Sequence, residues 1–154
     1  MLKGWIANAF LVIAGTVIGI LLFELALRAI DYSSPNFYHS DLNTGSALRA
    51  GAEGWWRKEG KSYVKINSDG LRDREHQKSK SSGTFRIAVL GDSYAEAMQA
   101  PMEDTFWKVL ELELQTCPAF QGRQIEVINF GVAGYGTAQE ILTLRHRSWD
   151  YSPD

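Results

Sequence analysis

Phe85-Arg-Ile-Ala-Val-Leu-Gly-Asp-Ser-Tyr94 decides how this chain is read. Its first six residues are apolar except for Arg86, and Gly91-Asp92-Ser93 then interrupts the run. A short β-rich run that ends in a small-residue turn has the pattern of a buried strand in a parallel sheet. In open α/β sheets, ligands and reacting groups collect just outside the carboxyl ends of such strands. Ser93 therefore lies where a nucleophile is useful.

Downstream the pattern repeats. Tyr94-Ala-Glu-Ala-Met-Gln99 consists of good helix formers and stops before Pro101. Residues 104–116 predict an amphipathic helix with Phe106, Val109, Leu110 and Leu114 on the buried face. Pro118 and Gly122 mark its exit, and Ile125-Glu-Val-Ile-Asn-Phe130 predicts a second strand leading into Gly131-Val-Ala-Gly-Tyr-Gly136. Thr137 and Glu140 have capping-box spacing, so a further helix is expected from Thr137 to about Arg147. Strand–helix–strand–helix with short loops opens a doubly wound parallel α/β sheet. Only about seventy residues follow Phe85, fewer than the roughly 100–200 such a domain usually takes. The sheet is expected to be incomplete, with its third strand following Pro153-Asp154.

Upstream, residues 5–23 form a nineteen-residue run without charge, with only Asn8 and Thr16 polar. At about 1.5 Å per residue it spans roughly 28 Å, close to the thickness of a bilayer's hydrocarbon core. The run exceeds the apolar core of a cleavable signal and continues directly into Glu24-Leu-Ala-Leu-Arg28, so an uncleaved signal anchor is expected. Lys3 and Arg28 flank it evenly. The usual outcome for such an anchor leaves the rest of the chain outside the cytoplasm. Gly15 and Gly19 have the small-xxx-small spacing that permits a weak transmembrane dimer.

Between these parts the composition turns polar. Ser33-Ser-Pro35 is expected to break the helix, Tyr63-Val-Lys-Ile66 to form a short strand, and Asn67-Ser-Asp-Gly70 to turn. Trp55-Trp56-Arg57-Lys58 suits sugar stacking or a membrane interface, but the expected arrangement is one tryptophan packed on the following domain and the other exposed. Residues 76–82 read as a linker. The expected organisation is an anchor over residues 1–30, a juxtamembrane segment and linker over 31–83, and the first part of a catalytic-type domain over 84–154. A net charge of −2 offers no nucleic-acid footprint, and the lone Cys117 decides nothing about redox compartment. No His, Cys, Asp and Glu cluster has metal-ligand spacing, and no cofactor is implied. The glycines at 131, 134 and 136 match neither the dinucleotide fingerprint nor the phosphate loop.

Gly91-Asp92-Ser93 after the first strand, with Asn129-Phe-Gly-Val-Ala-Gly134 after the second, resembles the SGNH/GDSL hydrolases. The anchor, Asn67-Ser-Asp-Gly-Leu-Arg-Asp73 and Gly91-Asp-Ser-Tyr94 look like that family's membrane-anchored bacterial members. The resemblance covers residues 67–154. It implies a flavodoxin-like sheet, Ser93 as nucleophile, and the N–H groups of Ser93 and Gly134 as oxyanion donors. Asp92, adjacent to Ser93, would shape the turn rather than serve as a triad carboxylate. The family's Gly-x-Asn-Asp and Asp-x-x-His blocks have no counterpart in these residues and are expected beyond Asp154. His39, His76 and His146 do not replace the missing base, so these 154 residues alone are expected to show little turnover.

The implied activity is hydrolysis of an acyl ester, such as an O-acetyl group on a glycan, through an acyl-serine intermediate. An O-acetyl transferase would differ only in the final acceptor. A serine hydroxyl needs a base and an oriented carboxylate to attack at neutral pH, so a non-catalytic binding module is the competing class.

Overall fold

The computed structural model describes residues 2–30, 32 and 35–154, with side chains from Gly4 onward, as two units that divide after Ser34. The first unit is one helix, α1 (Leu2–Ala29). Its Gly4–Ala29 stretch has a mean hydropathy of 2.5 and buries no side chain within the protein, so it is long and apolar enough to cross a membrane. The hydroxyl of Thr16 donates to Val12 O at 2.8 Å, which satisfies it within the helix. Glu24 and Arg28 pair at 2.9 Å one turn apart. The expected break at Ser33-Ser34 lies outside the described residues.

The second unit is a mixed α/β body with three two-stranded sheets. β1 (Tyr38–Asp41) pairs antiparallel with β2 (Gly45–Leu48), and β3 (Glu53–Trp56) with β4 (Ser62–Lys65). β5 (Thr84–Val89) pairs in parallel with β6 (Gln124–Asn129), with Thr84 opposite Gln124 and Val89 opposite Asn129. Between β5 and β6 run α2 (Ser93–Glu96) and α3 (Phe106–Thr116), and α4 (Thr137–His146) follows β6. The strand-crossover-parallel-strand unit expected from the sequence is therefore present.

Arg86 explains how a guanidinium fits inside β5. It is 1% exposed and lies opposite Glu126, whose Oε2 accepts its Nε at 2.7 Å and its Nη2 at 2.6 Å. Its remaining N–H groups donate to the carbonyls of Gln77, Lys78 and Tyr151. A buried Arg of this kind persists only when nearly every donor has a partner. The same bonds order the polar stretch after His76, which the sequence suggested was a linker.

Residues 35–83 are part of the second unit and share its core. Phe37, Leu48, Val64 and Ile66 share a core with Met98, Val132 and Tyr135, and Trp56 packs against it at 6.2 Å from Phe37. Trp55 meets Tyr63 edge-on at 5.5 Å and carries Lys61 over its ring at 5.1 Å, so both tryptophans are half-buried.

α3 turns a different face inward from the one its apolar spacing predicted. Phe106 is 53% and Val109 43% exposed, while Trp107 is fully buried and Glu111 nearly so. The indole N–H of Trp107 donates to Ala95 O at 3.0 Å, and Glu111 accepts the Val127 N–H and pairs with Arg74. These polar tethers fix the rotation of the helix, so its inward stripe is Trp107, Glu111 and Leu114.

β5 has a second neighbour. The carbonyls of Gly83, Val89 and Gly91 face β6, where they accept Gln124, Phe130 and Val132. Carbonyls of the alternate residues face the other edge, and there Arg86 O accepts the Asp154 N–H at 2.9 Å. Asp154 Oδ2 accepts the Arg86 N–H in return at 2.8 Å.

Candidate functional site

Ser93 opens α2, immediately past the carboxyl end of β5, and is exposed. Asp92 is its N-cap: the carboxylate accepts the Tyr94 N–H at 3.0 Å. The carboxylate is thereby engaged in the turn that starts α2. α2 is stopped after one turn by Ala97, which adopts the left-handed conformation at φ 52° and donates its N–H to Ser93 O. The helix expected to reach Gln99 is therefore shorter.

The second loop is built by Asn129. Its side chain is fully buried and used on both sides: Oδ1 accepts the Gly131 N–H at 2.9 Å, and Nδ2 donates to Ala95 O at 3.0 Å. Its own N–H donates to Asp73 Oδ2 at 3.0 Å. One amide thus ties the end of β6 to the loop after it and to α2 beside it. Gly131 must be glycine because a Cβ there would lie 2.5 Å from Ala95 Cβ and 2.7 Å from Glu96 N. Gly134 is needed for a different reason. Its φ is +82°, the left-handed region that glycine adopts freely, while a Cβ there would meet nothing within 4 Å. It is exposed.

The two loops are joined directly. Val132 N–H donates to Gly91 O at 3.1 Å, extending the β5–β6 ladder past the last paired residues. Ser93 and Gly134 each lie two residues beyond that bonded pair. The structure therefore brings the two predicted site loops together on the carboxyl side of the parallel strands.

α4 begins one residue earlier in register than the capping-box spacing suggested. Gly136 is the N-cap, and its N–H is accepted by Gln139 Oε1 at 3.2 Å, so Gln139 rather than Glu140 reaches back. Of the histidines, His39 contacts Ser40 O and His146 ends α4. His76 is buried, with Nδ1 accepting from Arg74 at 2.9 Å and Nε2 lying 3.2 Å from Asp73 Oδ2. None of the three hydrogen-bonds to Ser93. His76 looked like a linker residue because its neighbours are polar; nothing in its local sequence signals the buried Asp73 contact.

Residues the sequence did not single out also shape this end of the sheet. Arg72, 1% exposed, donates to the carbonyls of Glu96 and Ala100. Glu96 is 2% exposed; burial pushes its carboxyl above the usual range, opposed by the Ala133 N–H, the Tyr38 hydroxyl and the Arg72 charge. Tyr38 donates to Glu96 Oε2 at 2.9 Å, and burial followed by the Glu96 charge pushes its phenol well up. Asn67-x-x-Gly-Leu-Arg-Asp73 carried the signal for Arg72, but only the fold reveals its partners. Among the described residues, no three His, Cys, Asp or Glu side chains group to hold a metal ion. A scan against protein-family models matches none, and a search of the curated proteins finds no match.

Proposed function

We propose that this chain belongs to a membrane-anchored serine esterase of the SGNH type, with Ser93 as nucleophile. The observation that carries the reading is the Gly91 O to Val132 N–H bond, which sets exposed Ser93 and exposed Gly134 two residues from a common tie. In such an enzyme Ser93 Oγ attacks the ester carbonyl and loses its proton to a base. The backbone N–H groups of Ser93 and Gly134 stabilise the oxyanion, and the alcohol leaves to give acyl-Ser93, which water then hydrolyses. Transfer to a glycan hydroxyl would complete the same sequence as an O-acetyl transferase.

The parallel pairing of β5 with β6 and the Asp154 N–H bonded to Arg86 O on the other edge of β5 are compatible with the flavodoxin-like sheet of this proposal. The span-length helix α1 supports a single-pass protein; a catalytic domain outside the cytoplasm and an acylated glycan as the substrate class belong to the same proposal. Gly15 and Gly19 would provide a weak helix dimer contact.

Ser93→Ala in the full-length gene product tests the reading. Turnover of an aryl acetate should disappear while the melting temperature stays within about 2 °C; undiminished turnover would remove Ser93 from the role. The absence of a histidine bonded to Ser93 favours one second reading, a membrane-anchored binding module, and it predicts no turnover before or after the substitution.

A further inference from the structure

The hairpin of β3 and β4 has one face inside and one outside. Ser62 and Val64 are buried, with the Ser62 hydroxyl donating to Met98 O and Val64 in the core with Phe37 and Met98. The outer face carries two cross-strand pairs, Trp55 opposite Tyr63 and Glu53 opposite Lys65. The loop Arg57-Lys-Glu-Gly-Lys61 closes the hairpin between Trp56 and Ser62. Gly60 lies so near Gln99 that a Cβ there would stand 2.5 Å from the Gln99 carbonyl oxygen. Loop and strands are thus held to the body of the unit, and their outer side chains form a fixed surface.

That surface is cationic and aromatic. From Glu53 to Lys65 the chain has four basic residues and two acidic ones, a net charge of +2 in a protein whose total is −2. Of the hairpin's lysines, only Lys65 has a carboxylate partner among the described residues, Glu53 at 3.3 Å. Lys58 lies over the Trp56 ring at 5.6 Å and Lys61 over the Trp55 ring at 5.1 Å, and both lysines are exposed. Tyr63, 46% exposed, meets Trp55 edge-on. A stacked sugar needs an open ring face. Here Arg57 as well as Lys61 lies over Trp55, and Trp56 has Lys58 over it and Phe37 beside it, so a sugar would have to displace these groups. Half-buried indoles and a phenol among ammonium groups match instead the headgroup layer of a bilayer, where aromatic rings settle and lysines meet phosphate.

We propose that the outer face of the β3–β4 hairpin docks on the anionic phospholipid headgroups of the bilayer that α1 crosses. This rests on the anchor part of the reading above and is independent of Ser93. The tether matters to the energetics: a domain kept at the bilayer by its own anchor populates a surface contact too weak to recruit a free protein. The contact is electrostatic, so it weakens in salt.

The test is lysine footprinting of the full-length gene product, reconstituted into vesicles, with a membrane-impermeant acetylating reagent and peptide mass mapping. Vesicles of phosphatidylcholine alone are compared with vesicles containing about one-third phosphatidylglycerol. Lys58, Lys61 and Lys65 should react about threefold or more slowly in the anionic vesicles, relative to Lys78 and Lys108, and the difference should vanish in about 0.5 M NaCl. In the double variant Lys58→Glu/Lys61→Glu, which replaces only exposed side chains, the slowing at Lys65 should be lost. Equal reactivity in the two vesicle types, or slowing at Lys65 that survives the double substitution, would overturn the proposal. Slowing that appears only on addition of cellohexaose would assign the face to a glycan and overturn it as well. A chain that floats with neither vesicle on a density gradient removes the anchor reading and this proposal with it; equal reactivity in a chain that floats removes the docking alone.

Discussion

Replacing Asn129 by aspartate exchanges one side-chain NH2 for an oxygen of nearly the same size, at a site with no solvent exposure. Oδ1 can still accept the Gly131 N–H, so the loop it shapes retains that bond. The lost group is the donor, which reaches Ala95 O at 3.0 Å and, more weakly, Arg72 O at 3.4 Å. Ala95 O keeps the Trp107 indole as a partner, so the main losses are one good hydrogen bond and the contact to Arg72 O. Those losses, together with a carboxylate oxygen set against two carbonyls in a buried site, should cost about 3–5 kcal/mol near pH 7. A buried carboxyl facing carbonyl oxygens has its folded-state pKa raised, so its stability contribution is present at low pH and lost as pH rises. Near pH 4 the new residue can bind a proton and donate once again, and the loss should shrink to about 1–2 kcal/mol. Urea unfolding of the full chain in detergent micelles, followed by near-UV circular dichroism, measures both values. A loss below about 1 kcal/mol at pH 7, or one that does not shrink on acidification, would refute the reasoning.

The two loop glycines should respond in opposite ways to the same replacements. Gly131→Ala should cost about 1–3 kcal/mol by overpacking against Ala95, and Gly131→Asn more. Gly134→Ala should cost about 1–2 kcal/mol from its left-handed backbone, and Gly134→Asn less, because asparagine tolerates that conformation; thermal melts that rank alanine and asparagine alike at both positions would contradict this. Glu96→Gln removes a carboxyl that burial holds above its ordinary pKa. The wild-type carboxyl contributes fully below its unfolded-state pKa and loses that contribution as pH rises through the folded-state value. Glu96→Gln should therefore melt higher than wild type at pH 8, with the gap closing toward pH 4; a gap that widens on acidification would reverse the sign.

The strand–turn–helix framework was legible because it depends on local pattern. The apolar run before Gly91 and the run before Gly131 each predict a strand within a residue of where it forms, whereas the helix expected to reach Gln99 stops at Glu96. The loop positions of Ser93 and Gly134 were legible for the same reason: small residues at strand ends mark loops whatever the rest of the fold does. The inward face of α3 was not legible, because two polar anchors, Trp107 to Ala95 and Glu111 to Val127, outweighed the apolar spacing of Phe106, Val109 and Leu110. The role of residues 35–83 was hidden by polarity. Arg72, Asp73 and His76 look solvent-seeking in sequence, and their burial depends on partners 24 to 56 residues away for Arg72 and Asp73. Glu96 was read only as a helix former, since no local signal marks a buried carboxylate that accepts the Tyr38 hydroxyl from 58 residues away.

The most direct measurement is peptide mapping after treatment of the full-length gene product with a fluorophosphonate, which forms a stable bond to an activated serine. The account predicts a single phosphonyl adduct on Ser93 that forms at the rate at which ester turnover is lost and is absent from Ser93→Ala. An adduct on another residue with Ser93 unmodified, or complete loss of turnover with no adduct on Ser93, would contradict it.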